Sequence, residues 1–356
     1  MEHIEKYTSM AQRAASSYLR SLAEGGETES EQRDLRGFFQ AFYTTLYEHP
    51  DQFGLPLVAD DSFVEGEPGG TAHKAELNKK LKKPHDLIAT GLDFLMAAGC
   101  NGHIEGTTLV AGAEIAERVK KNRSLRTFLQ GLETAGLQVA AVGDTLRLDN
   151  SRFTAIMPAL QTLARACSVY PDVKVGTFHF ARCDFRALQP GFMPDPLDLY
   201  KTFPPAEFAR VVELHEYFIA KKYQTILTIS GVSTWMVQYQ GKRQVKATPL
   251  FQVEYQERYR NPVVLFIKPA STARIAPLIP HQSQVLQDDF FQRANYCRGS
   301  ECDWCKNNKN LGPTAMKRKG QPVVVCWYTN PTVVADENTV ALVEEYAEMH
   351  ESLVSS

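Results

Sequence analysis

The sequence predicts an α+β chain, helix-rich in its N-terminal half, with an antiparallel sheet and flanking helices in its C-terminal half. Three observations carry that expectation. Apolar residues recur at helical spacing through the first half, as in Leu35, Phe38, Phe39, Phe42 and Leu46. In the second half Phe251, Val253 and Tyr255 alternate with Gln252, Glu254 and Gln256, the pattern of a strand with one wet face. Cys297, Cys302 and Cys305 then fall within nine residues, and Cys326 follows after a basic, glycine-containing excursion.

The elements follow in order. Tyr7, Met10, Ala14 and Tyr18 mark a helix over residues 5–23, and a polar loop follows at residues 24–30. A second helix covers residues 32–47 and ends at His49-Pro50, because the residue before proline is pushed out of helical geometry. Residues 60–70 read as a surface loop. Five lysines, Lys74, Lys79, Lys80, Lys82 and Lys83, follow it; they suit either a phosphate-contacting patch or a solvated helix face. A third helix covers residues 86–98, with Gly99 as its terminator.

Residues 113–121 and 124–135 read as two helices, the second with Leu125, Phe128, Leu129 and Leu132 on one side. Gly136 stops it. Residues 137–142 and 145–148 flank Gly143-Asp144, the signature of a tight hairpin. A further helix over residues 153–167 completes a winged-helix-like unit at about 108–168. In such a unit the second helix can enter a major groove. Arg118, Lys120, Lys121, Arg123 and Arg126 lie near its start and are the candidate nucleic-acid-binding residues. Protein-docking modules use the same order of elements, so the fold alone does not choose between the two partners.

Residues 173–180 read as a strand. His179 and Cys183 suggest a nucleophile pair, but four strand residues span ~13 Å, beyond hydrogen-bond reach. The prolines from Pro190 to Pro205 mark a boundary between a first domain, 1–188, and a second, 206–356. A helix over residues 207–222 carries His215 and Glu216 without the second histidine of a zinc-protease helix, since position 219 is Ile219. Strands are expected at residues 225–229, 234–239, 251–256 and 263–267, the last without polar alternation and therefore central. Trp235, Tyr239, Tyr255 and Tyr259, with Lys242, Arg243 and Lys246, could stack single-stranded nucleic acid or fill the core side of the sheet. Helices over residues 282–294 and 338–353 flank the cysteine region.

The cysteine spacing is C-x4-C-x2-C-x20-C, and four thiolates around zinc form a closed structural site. A strand over residues 322–328 would deliver Cys326. The first three cysteines also match the spacing of a plant-type [2Fe–2S] cluster, and Cys297-Arg298-Gly299-Ser300 is similar to the ferredoxin loop. A redox pair at Cys302 and Cys305, or reduced thiols without metal, are the other readings.

Composition bounds the rest. The chain has 356 residues, 44% of them hydrophobic and 22% charged, enough for two ordinary cores. A formal net charge of -2 gives no global case for wrapping nucleic acid or coating an anionic membrane. The start, Met1-Glu2-His3-Ile4, lacks the features of a secretory signal, and the apolar run Val263 to Ile267 is too short to span a bilayer. Seven cysteines without a signal suit a reducing, cytoplasmic setting and no membrane partner. Phosphate-loop, dinucleotide and nucleophile-elbow glycine motifs are absent. The expected function is a binding module for nucleic acid or protein with a structural zinc site; the alternative is an iron–sulfur or thiol redox protein.

Overall fold

A computed structural model describes residues 9–23, 25–55, 71–153, 155–203, 205–231, 234–240, 250–255, 263–268, 272–294, 296, 313–326, 332–334 and 338–355. The chain is α+β, and its main division into two compact units falls between Leu199 and Tyr200.

The first unit begins with α1 (Met10–Ser21) and α2 (Ser30–Glu48). Ser9 caps α1 by accepting from the Gln12 amide. At α2 the Glu29 and Gln32 side chains satisfy each other's backbone amides in a capping box. A 3-10 turn, Pro50–Phe53, leads on towards α3 (Thr71–Asn101). The sequence places this third helix at 86–98, but it carries through Pro84 and past Gly99. Gly99 is not a stop: a Cβ there would lie 2.7 Å from that of Ala164, so the glycine permits close helix packing. Lys82 and Lys83 are exposed on α3.

Next come β1 (His103–Glu105), β2 (Thr108–Ala111), α4 (Ala113–Lys121), α5 (Arg123–Thr134), β3 (Leu137–Val142) and β4 (Thr145–Asn150). The four strands form one antiparallel sheet in the order β1-β2-β4-β3. Gly143 adopts φ 59° in the β3–β4 turn, a conformation that glycine reaches without Cβ strain. Then follow α6 (Ile156–Ser168), α7 (Val173–Ala181), a 3-10 turn at Phe185–Leu188, and α8 (Pro196–Tyr200). Phe39, Phe42, Tyr43, Phe53, Phe128 and Phe180 are fully buried and meet edge to face or tilted.

Residues 173–181 are helical, not a strand. Asp172 caps α7 through the Lys174 amide, and Gly176 lets the helix press against the Cys167 carbonyl on α6. Residues 173–180 alternate Val173 with Val175 and Phe178 with Phe180, which imitates a strand, but most of α7 is buried helix, and so short a pattern does not separate the two.

The second unit holds α9 (Pro205–Ala220), β5 (Gln224–Gly231), β6 (Thr234–Gln240), β7 (Leu250–Tyr255) and β8 (Val263–Lys268). After these come α10 (Thr272–Ile275), α11 (Gln284–Arg293), β9 (Thr314–Arg318), β10 (Gln321–Val325), β11 (Thr332–Val334) and α12 (Thr339–Ser355). Its main sheet has the order β11-β8-β7-β6-β5, so β8 is an interior strand, as its uninterrupted apolar run requires. Strands β9 and β10 form a separate two-stranded ribbon. Among the described residues no helix is long and apolar enough to cross a membrane.

Candidate functional site

Helices α4 and α5 are set by two local features. The Asn122 side chain accepts from the Leu125 amide at 3.0 Å, starting α5 directly after α4. Ile115 and Ala116 on α4, and Leu125, Phe128, Leu129 and Leu132 on α5, are buried. A second flank of α5 is also covered: Gly131 faces the Phe53 ring, Gly54 sits against Thr127, and Thr134 donates to Gln52 at 2.9 Å. The exposed residues of α5 are Arg123, Ser124, Arg126, Gln130, Glu133 and Thr134.

The five basic residues of this stretch fare differently. Arg118 is held by Asp93 at 2.7 Å, and Lys121 by Glu117 at 3.2 Å. Arg126 turns back to donate to the Val119 and Lys120 carbonyls, closing the C-terminus of α4. Lys120 and Arg123 are exposed and make no ion pair among the described residues. The β3–β4 hairpin adds no cation at its tip. Its exposed residues are Ala140, Ala141, Val142, Gly143 and Asp144, with Val142 54% exposed. Arg147 further down β4 is committed to Glu105 at 2.9 Å.

Of the four candidate metal ligands, Cys297, Cys302 and Cys305 lie outside the described residues. Cys326 is described; it is half-buried, and its carbonyl accepts from Thr272 Oγ1 at 3.2 Å. Tyr296 forms an antiparallel bridge with Val325, bringing the residue before Cys297 opposite the residue before Cys326. The bridge is braced: Tyr296 donates to the Phe291 carbonyl at 2.7 Å, and Arg318 donates to the Tyr296 hydroxyl at 3.3 Å. Among the described residues no three His, Cys, Asp or Glu side chains converge as a metal site.

The geometry around His179 and Cys183 differs from the extended pairing. In a helix, residues four apart share a face. Cys183, however, lies just past α7 in a left-handed conformation, φ 52°, where the Cys183 amide donates to the Phe180 carbonyl and the Asp184 amide to that of His179. His179 is wholly buried and turns Nδ1 towards Asp184 Oδ2 at 3.4 Å, too poorly aligned for a hydrogen bond. Burial pushes the Cys183 thiol well up, so no thiolate is at hand for nucleophilic attack.

This region holds a partly buried ionic cluster, centred on the buried Asp184, that sequence reasoning missed. Arg186 grips Asp184 with two parallel bonds of 2.8 and 2.9 Å and reaches Asp198 at 2.5 Å. Burial alone would raise the Asp184 carboxyl, but the hydrogen bonds and charges of the surrounding basic groups prevail and hold it below the usual carboxylate range. Burial also pulls the Arg182 guanidinium down to about 10, and its ring-stacking partner is Phe178 at 4.8 Å. The only sequence sign was Asp184 itself, which accepts from the Arg186 amide like a turn-starting aspartate.

A second missed network lies in the second unit. The Tyr200 and Tyr239 hydroxyls meet at 2.7 Å, and His215 Nδ1 meets Tyr239 at 2.9 Å. Trp235 stacks on Phe203, and Tyr239 on Phe218. Trp235 and Tyr239 are buried, which closes them to stacking with a nucleic-acid base. The side chain of Tyr255 lies outside the described set, as do Tyr259, Lys242, Arg243 and Lys246. Compared with known proteins, the chain matches no family model, no curated protein and no solved structure, so its function is read from its own geometry.

Proposed function

We propose that the chain is a non-catalytic binding protein whose first unit carries a winged-helix module used for docking protein rather than nucleic acid. The order α3, β2, α4, α5, β3, β4 and the strand order β2-β4-β3 support the winged-helix reading. One observation carries the choice of partner: most of the basic side chains at the head of α5 are spent on intrachain partners, and the hairpin tip is uncharged except for Asp144. The two uncommitted cations of this stretch, Lys120 and Arg123, would neutralise about two phosphates, giving a slope of log affinity on log salt of about -2. That is shallow for a protein that holds DNA at physiological salt. The test is electrophoretic retardation of duplex DNA and of RNA at low salt. No salt-sensitive shift is expected; one abolished by the Lys120→Ala/Arg123→Ala double variant would overturn the reading.

In the second unit we propose that Cys297, Cys302, Cys305 and Cys326 hold a structural zinc ion. The spacing supports this reading, and so does the braced Tyr296–Val325 bridge, which brings the chain segments leading to Cys297 and Cys326 side by side. Elemental analysis of the purified chain should find about one zinc, lost in Cys302→Ser together with thermal stability. Iron with matching sulfide would replace this reading with a [2Fe–2S] site.

A further inference from the structure

The four-stranded sheet of the first unit has two edges, and only one is defended. The β1 edge is three residues long and carries His103 and Glu105, which pair with each other at 3.1 Å. Short, charged edges resist pairing with other strands. The β3 edge is six residues long and reads Leu137-Gln138-Val139-Ala140-Ala141-Val142. It has no charge, no proline and an unbroken register with β4 from Leu137↔Asn150 to Val142↔Thr145. Residues 140–142 are exposed.

The register also fixes which backbone groups are free. In a two-residue hairpin the flanking residues, here Val142 and Thr145, exchange hydrogen bonds, and bonding alternates from there. Ser151 donating to the Gly136 carbonyl at 2.9 Å keeps the same phase at the other end. Residues 138, 140 and 142 therefore bond to β4. The N–H and C=O groups of Leu137, Val139 and Ala141 point away from the sheet, along an edge that can pair with another extended chain.

We propose that this edge pairs with the same edge of a second copy of the chain, joining two four-stranded sheets into one across a twofold axis. The strand is self-complementary. With the axis at Ala140, Val139 pairs with Ala141 of the partner and Gln138 with Val142. No like charges meet, and only methyl groups face each other at the axis, where opposed Cα atoms approach to ~4.5 Å. An interface that meets itself in this way is isologous and closes as a dimer. The inference deepens the protein-docking reading by naming a partner for the hairpin, and rests on it only for treating the hairpin as a contact surface.

The test is sedimentation equilibrium of the full chain over a concentration series, with hydrogen exchange read on the same samples. The expected result is a rise to twice the monomer mass, with slowed exchange at the Val139 and Ala141 amides. Ala140→Lys sets two cations face to face at the axis, and Ala141→Pro removes an N–H that points away from β4 at a sheet edge, where proline is tolerated; both should stay monomeric with unchanged circular dichroism. A wild-type chain that is monomeric throughout would overturn the proposal, as would a dimer that survives both substitutions. Neither outcome touches the nucleic-acid retardation result, so a failure of the docking reading stays distinguishable.

Discussion

Asp184 shows how one residue can govern a buried region. It is fully buried, receives two bonds from the Arg186 side chain, and faces Arg182 and His179. Removing one member of a buried charge cluster leaves its partners uncompensated. Asp184→Asn should therefore cost about 3 kcal/mol by urea denaturation, at the lower end of the usual range because Asp198 still faces Arg186. The sign of the pH dependence follows from the direction of the shift. A carboxyl held below its unfolded value, ~3.9, stabilises the fold fully above that pH, and the contribution is lost as pH falls towards the folded value. Wild-type stability should decline on acidification through this window, and the Asp184→Asn variant should decline less. Asn122 makes a simpler case. Its cap on the Leu125 amide is worth about 1 kcal/mol, so Asn122→Ala should lower the unfolding midpoint without touching the core.

At the scale of elements, helix propensity and packing can oppose each other, and magnitude decides. Gly91 lies in the interior of α3, where alanine would gain about 1 kcal/mol by propensity alone. A Cβ at that position would run into the Phe128 ring of α5, which is fully buried among Phe42 and Phe53. Overpacking of this kind costs about 1–3 kcal/mol, so Gly91→Ala should be net destabilising in thermal melts. Helix α7 teaches the converse lesson. Its short pattern of Val175, Phe178 and Phe180 suits a strand as well as a helix, and what selects helix is the Asp172 cap and the close approach of Gly176 to α6. The β3–β4 hairpin was legible because its turn needs a specific residue: Gly143 supplies the positive φ that the two-residue loop demands.

For the whole molecule, the two units invite separate readouts. If Cys326 helps to bind zinc, Cys326→Ser should speed amide exchange in β9, β10 and α11, the elements that hold the Tyr296–Val325 bridge and its braces. The amides of α3, α5 and α6 in the first unit should exchange as in the wild type. Equal loss in both units would count against a local role for the cysteines. The proposed β3 pairing predicts protection confined to the first unit's sheet edge, so the two effects separate on one exchange map.

The sequence by itself determined the α+β class, the order of most elements and the β3–β4 turn, because periodicity and turn chemistry are local properties of the chain. It also singled out the basic residues of α4 and α5, since charge is read directly from composition. Glu117 and Lys121, four apart on one helix, are a local pair, whereas only the tertiary structure decided that Asp93 occupies Arg118 and that Arg126 turns back on the end of α4. The same holds for the Arg182–Asp184–Arg186–Asp198 cluster and for the His215–Tyr239–Tyr200 chain, the latter joining residues as far as 39 positions apart. Whether a charge such as Arg118 is free or spent depends on which distant group the fold places beside it, here Asp93 25 positions away, and no local pattern in a sequence encodes that distance.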